Sequence, residues 1–449
     1  MQTTLQNITG VDAFLAAFRE HTEARMASEP AWLSAQRRQA IEQFQDQGFP
    51  TTRDEEWLYT NVSPLTAIPF RLADGSERSS LAAAHYWDGP VAARLVFING
   101  KYQADLSALS KLPAGTVIGS LSELLSNPRS ADTLRVYFGR ANATERHPFA
   151  ALNTALWQDG PCVLIPAGVA LTEPIHLVHI VQTGAAPFAS HPRTLVVCEH
   201  GSQLTLVETY QTADNGIALT NALTEILASE DSVIDLYTST RSNSRSFHIG
   251  LLNVYAGRGA QISAFSASLG GELIRNEAHV LLDAEGADCT LHGLYTAKGV
   301  QHVDNHTTID HAKPNCSSRQ FYNGILDGHA TGVFNGRVIV RPNAQKTDAV
   351  QKNRNLLLST DATIDTKPQL EISANDVRCT HGATVGQLDQ EALFFLQARG
   401  LNRDEAVGML VRAFASEILD KVKISNYRDW LAKELSSGFL GDDAAGKRI

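Results

Sequence analysis

Four short stretches of the chain superimpose on one template. Gly201-Ser-Gln-Leu204-Thr-Leu206, Asp231-Ser-Val-Ile234-Asp-Leu236, Gly259-Ala-Gln-Ile262-Ser-Ala264 and Gly286-Ala-Asp-Cys289-Thr-Leu291 each open on a small or turn residue and place apolar side chains three and five positions on. Their starts lie roughly 27 to 30 residues apart, a period typical of stacked units that cannot bury an apolar face alone. Other strand-like runs, such as Phe247 to Tyr255 and His279 to Leu282, fill the intervals. These intervals are too short and too β-branched for the helices of a doubly wound sheet. Residues 151–387 are therefore predicted to form a right-handed parallel β-helix, and the fold class is mainly β with helical domains on both sides. After about residue 310 the intervals drift. Asp348 to Gln351 can still be placed, and Val377 and Cys379 fall three and five positions from Ala374. No hexapeptide or nonapeptide repeat is present.

Residues 1–150 read as an N-terminal helical and mixed domain. Asp12 is placed to cap a helix carrying Phe14, Leu15 and Phe18, and a second helix runs through Trp32, Ile41 and Phe44 to a stop at Gly48. Turn chemistry follows at Gly48 to Arg53, and β-type runs begin at Leu95-Val-Phe-Ile98. Residues 388–449 read as a C-terminal helical domain. There Val407, Leu410, Val411, Phe414, Ile418 and Val422 recur at helical spacing, with Asn402 and Glu405 as a capping pair. That apolar stripe reads as broad enough for both the core and a partner.

The chain has 449 residues, 43% of them apolar, 19% charged, and a net charge of -10. A chain with this balance folds, and it does not track phosphates, because nucleic-acid binders concentrate Lys and Arg on one face. No basic stretch leads into an apolar segment at the N-terminus, and no run of about 18 apolar residues occurs. The sequence therefore predicts a soluble cytoplasmic protein without membrane or nucleic-acid partners. Five widely spaced cysteines, at 162, 198, 289, 316 and 379, form neither a disulfide framework nor a zinc knuckle.

Several motifs invite a chemical reading. Gly441 to Lys447 resembles a phosphate loop, but it lacks the final Ser or Thr and no helix follows it. A β-helix also suits polysaccharide enzymes, yet Asp304, Asp310 and Asp327 are scattered rather than paired. His302, His306, His311 and His329 cluster loosely; side chains in turns and hydrogen-bonded stacks between coils account for them without a metal. Cys379-Thr-His381 is different. Residues two apart on a strand point the same way with Cα atoms about 6 to 7 Å apart, so thiol and imidazole share a face. A thiolate binds iron or sulfur species, and a neighbouring imidazole favours that form. A buried cysteine beside a surface histidine would give the same triplet, and two ligands cannot hold a cluster alone.

Longer runs carry a resemblance. Arg53-Asp-Glu-Glu-Trp57-Leu-Tyr59-Thr60, Asn153-Thr-Ala-Leu with Asp159-Gly160, Phe334 to Pro342 and on to Gln351, Asn355-Leu-Leu-Leu, Lys367 to Ile372 and Asp376-Val-Arg-Cys379-Thr-His381-Gly-Ala-Thr resemble the SufB/SufD family of the SUF iron–sulfur cluster assembly system. Length and the Cys-Thr-His arrangement resemble the SufD branch more than the SufB branch. The resemblance implies a non-catalytic scaffold that pairs with SufB through the terminal β-helix coils and binds the ATPase SufC through its C-terminal helices. It implies that Cys379 and His381 serve a nascent cluster or iron shared at that interface, with no cluster stably bound by the isolated chain and ATP bound only by the partner. A homodimer when alone, contact with reduced flavin, and the source of the iron stay open. A SufB-like primary scaffold and a carbohydrate-active β-helix enzyme are the alternatives.

Overall fold

The computed structural model describes residues 10–72, 86–141, 147–184 and 186–440. Its centre is a parallel β-solenoid of about eight turns. From Gln203 onward each turn contributes one strand to each of two facing sheets, so successive strands there lie in opposite sheets. From Gln203 onward most strands are ten residues long and pair in parallel, residue for residue, with the strand one turn on. Side chains alternate between the space enclosed by the sheets and the outer faces. Leu204, Leu206, Ile234, Leu236, Ile262, Ala264, Cys289 and Leu291 point inward, where they meet Ile226, Val254, Val280 and Ile309 of the facing sheet in the main core.

The first residue of the template has a backbone reason. Gly201, Asp231, Gly259, Gly286, Asn315 and Lys346 all adopt positive φ, between 55° and 74°. The corner between sheets needs a left-handed residue, a conformation open to Gly and next most readily to Asn or Asp.

The two ends of the solenoid differ. At the start, strand Ala93–Ile98 pairs parallel with Ile175–Val181 and antiparallel with Lys101–Tyr102, although it lies within the expected N-terminal domain. Val117–Ser120 likewise closes the first sheet by pairing antiparallel with Pro161–Ile165. At the other end Thr363–Ile372 and Arg378–Gln387 each pair with only one strand among the described residues. Their residues are all exposed or half-buried.

Helices cover the outer faces. Ala31–Gln47, which ends at Gly48 as expected, packs with Pro148–Leu156 in an N-terminal helical layer that lies over Leu219, Leu223, Phe247, Ile249 and Leu273 of the first sheet. The first helix begins at Gly10, which puts Asp12 inside its first turn rather than at its cap. Arg403–Leu419 and Ser425–Leu440 lie over Tyr237, Phe265, Leu294 and Ile325 of the second sheet. The Asn402–Glu405 capping box is present, with both bonds at 2.9 Å. No helix among the described residues is long and apolar enough to cross a membrane.

Candidate functional site

The open end is where the expected site residues lie. Strand Arg378–Gln387 pairs with Asp348–Leu357 so that Cys379 stands over Ala349 and His381 over Gln351. Following the ladder back to Gly201 makes Asp376, not Ala374, the start of the last copy of the template. The three and five positions are then Cys379 and His381 rather than Val377 and Cys379. Both therefore occupy inward-facing positions in a turn that has no further turn above it. Cys379 is half-buried against Val338, Val340, Ala344, Ala349 and Ala374, whereas His381 is exposed.

The backbone is as open as the side chains. Arg378 donates its N–H to Thr347 of the preceding turn. Backbone groups alternate sides along a strand, so the N–H groups of Cys379, His381, Ala383 and Val385 point off the open end. On the other sheet Thr363 donates inward to Ala330, which leaves even-numbered residues facing outward, and Pro368 among them has no N–H to offer. The second-sheet edge is thus uninterrupted, and the first-sheet edge is broken at its middle.

The thiol does not behave as its neighbour suggested. Burial pushes the Cys379 thiol up; a hydrogen bond with the Ala349 backbone opposes this, and the Asp348 carboxylate adds to the rise. In this chain alone the thiol is therefore held protonated rather than activated.

Below the pair the floor is polar. Thr307 donates to Gln320 Oε1 at 2.7 Å and Gln351 Nε2 to the same oxygen at 3.2 Å. That leaves Gln351 Oε1 buried and without a partner among the described residues, one turn beneath His381. Gln351 reaches across the interior to Gly336, where a Cβ would come within 2.2 Å of its amide nitrogen. Neither residue was singled out as functional from sequence, although Gln351 is the five position counted from Lys346.

The other candidates are placed elsewhere. His302 bonds Thr60 Oγ1 at 3.0 Å, His311 bonds Ser318 Oγ at 2.9 Å, His306 is ion-paired with Asp304 at 3.0 Å, and His329 is exposed. Asp304 is paired with Arg275, Asp310 with Arg341 at 2.7 Å, and Asp327 lies in a turn, so these acids share no cleft. The loop from Gly441 lies outside the described residues. The stripe on Arg403–Leu419 is spent on the sheet through Val411, Ala415, Ile418 and Leu419. Among the described residues of the C-terminal helices, the large apolar side chains left exposed are Phe394 and Phe395 on the helix Gln390–Gln397 and Met409 on Arg403–Leu419.

Two family models together cover nearly the whole chain: the SUF system FeS cluster assembly SufBD core domain matches residues 179–414, and the SufBD N-terminal region matches residues 10–177. The chain belongs to the SufBD family. An iron–sulfur cluster assembly SufBD family protein of Synechocystis is 34% identical over 95% of this chain and 96% of its own length. The iron–sulfur cluster assembly protein SufD of Escherichia coli is 30% identical over 87% of this chain and 89% of its own, which makes this chain a SufD homologue. The Bacillus subtilis SufD is 25% identical over 90% and 93%.

The SufBD-like runs near the N-terminus hold the fold together. Trp57 stacks on the Arg275 guanidinium at 3.7 Å, and Thr60 Oγ1 donates to Asp304 at 2.6 Å. Arg275, Glu277 and Asp304 form a buried ionic cluster on the outer face of the first sheet, and the strap of residues 53–60 lies over it. Asn153 Nδ2 donates to the carbonyls of Pro192 and Asn221 at 2.9 and 2.8 Å. Asp159 accepts from Ser120, Ser122 and Gly160, while a Cβ on Gly160 would lie 1.9 Å from the Arg193 carbonyl oxygen.

Proposed function

We propose that this chain is a non-catalytic scaffold subunit of cytoplasmic iron–sulfur cluster assembly, pairing with a SufB-type protein through its open end. The observation that carries the reading is the uncapped last turn, which offers a ten-residue unpaired strand edge with Cys379 and His381 on its inward side. Long exposed edges invite pairing with another chain, and proteins normally blunt them. Here the only proline lies on the other edge.

A covering partner would bury Ile372 and Val385, now 44% and 49% exposed, and would enclose Cys379, His381 and the Gln351 acceptor in one compartment. The cluster, or the iron that precedes it, is the cargo of that compartment. Cys379 and His381 supply two donors, and the partner supplies the rest, because clusters take four ligands. A cation or thiolate-seeking iron arriving beside Cys379 lowers the thiol pKa that burial raises. The isolated chain then holds no stable cluster.

SufC-type ATPase docking belongs to the C-terminal helices, where Phe394, Phe395 and Met409 are exposed, and ATP stays with that partner. The test is co-expression of the tagged chain with SufB-type and SufC-type proteins. Both should co-purify with the wild-type chain, and Ile372→Lys with Val385→Lys should release the SufB-type partner while retaining the ATPase. Full retention of the SufB-type partner by that variant would refute pairing through the open end.

A further inference from the structure

The corners that open the template copies, from Gly201 to Asp376, stack in one row along the solenoid. Side-chain pairs tie adjacent turns of that row: Glu230 with Arg258, Glu285 Oε1 with Asn315 Nδ2 at 2.6 Å, and Lys346 with Asp376. The first step of the row is different. It brings His200 of one turn to Glu230 and Asp231 of the next, and neither His200 nor Asp231 has a side-chain partner among the described residues.

One ligand atom from each of these three side chains, an imidazole nitrogen and two carboxylate oxygens, lies within 4.8 Å of the other two. The backbone beneath them is fixed by the ladder. Gly201 donates its N–H to the Glu230 carbonyl at 2.9 Å, and Asp231 donates to the Arg258 carbonyl at 2.8 Å. Asp231 holds a left-handed φ of 55°, and its Oδ1 lies over Gly259 of the next turn, where a Cβ would come within 2.3 Å of it. Arg258 meets Glu230 through Oε1, which leaves Oε2 to a second cation.

We propose that His200, Glu230 and Asp231 bind a divalent first-row transition cation of the Zn²⁺ class, which ties the first two turns of the row as side-chain pairs tie the later ones. An imidazole in the set selects such ions over Mg²⁺ and Ca²⁺, which take oxygen ligands. Zinc holds N and O ligands at about 2.0–2.2 Å and completes its four-coordinate shell with water, and side chains at the surface are free to rotate onto it. Asp376 stands six strand spacings further along the row, roughly 29 Å at about 4.8 Å each, so the site is separate from Cys379 and His381.

The test is calorimetric Zn²⁺ titration of the full chain, with Co²⁺ as a spectroscopic probe, for wild type, His200→Ala, Asp231→Asn, Arg258→Ala and the double variant Cys379→Ala with His381→Ala. His200 is exposed, and Asn accepts the left-handed corner that Asp231 occupies, so the melting temperatures of the metal-free chains should match wild type. His200→Ala and Asp231→Asn should each weaken Zn²⁺ binding at one site at least tenfold. Arg258→Ala should tighten that site by releasing Glu230, and the double variant should keep it. Co²⁺ bound there should lack the charge-transfer band of a thiolate ligand. Unchanged Zn²⁺ affinity in His200→Ala and Asp231→Asn, or loss of all Zn²⁺ binding in the double variant, would overturn the site.

Discussion

Asp304→Asn is the sharpest perturbation of the cluster beneath the strap. Asp304 is fully buried and shares the Arg275 guanidinium with Glu277, whose carboxylate is 2.6 Å from Arg275 Nε. Removing one partner of a buried ion pair costs about 3–5 kcal/mol, because the other charge stays desolvated. Arg275 keeps Glu277, and Asn can still accept from Thr60, so the low end applies, about 3 kcal/mol. At about 1.4 kcal/mol per tenfold, that is roughly a hundredfold change in an opening equilibrium. Hydrogen exchange read by mass spectrometry is the assay. The amides of Trp57, Leu58 and Thr60, protected by bonds to Asp54, Glu55 and Trp57, should exchange roughly a hundredfold faster, while the solenoid interior stays slow. Exchange in residues 53–60 within threefold of wild type would refute the claim that the cluster anchors the strap.

Three further outcomes follow from the same contacts. Burial works to lower the His306 pKa, but the Asp304 charge and bonds with Asp304 and Glu56 raise it overall. Its stabilising charge is therefore fully present below about 6.5 and lost as pH climbs through the raised value. Against burial, the Arg275 charge holds Asp304 and Glu277 below the ordinary carboxylate range, so their contribution fades as pH falls. Melting curves should show His306→Ala flattening the alkaline loss and Asp304→Asn the acid one. Gly160→Ala forces a Cβ into the Arg193 carbonyl and should abolish soluble expression, whereas Gly168→Ala, where a Cβ has open space, should remain soluble despite a positive φ. Phe394→Ser with Phe395→Ser should abolish ATPase co-purification without lowering the melting temperature. Point substitutions are the right tool there, because deleting residues 388–449 would uncover Tyr237, Phe265 and Leu294.

The solenoid was legible in the sequence because its early turns write the inward face in Leu, Ile, Ala and Cys at fixed offsets from a left-handed corner. The register faded where that face turns polar. Ser318, Gln320, Gln351 and Asn353 are inward and buried, yet carry no hydrophobic signal. The corner also lengthens, with 31 residues separating the equivalent positions Asn315 and Lys346. Cys379 and His381 stood out as a chemical pair, but their thiol electrostatics depended on Asp348 and on burial, which only the ladder reveals. The ionic cluster was invisible for another reason: Trp57 and Arg275 meet only through the fold. The helix of residues 403–419 was correctly read as amphipathic, but periodicity cannot tell how much of an apolar stripe the chain itself consumes.

The most direct test of the account is cluster assembly by the reconstituted complex of this chain with SufB-type and SufC-type partners, compared for wild type, Cys379→Ala and His381→Ala. Cys379 is half-buried on the last turn, so Cys379→Ala should cost the isolated chain no more than about 1 kcal/mol. His381 is exposed, and its loss should cost less. With melting temperatures nearly unchanged and subunit stoichiometry intact, the yield of iron–sulfur cluster measured by absorbance and iron content should fall sharply in both variants. Wild-type yield from both would remove Cys379 and His381 from the site and contradict the account.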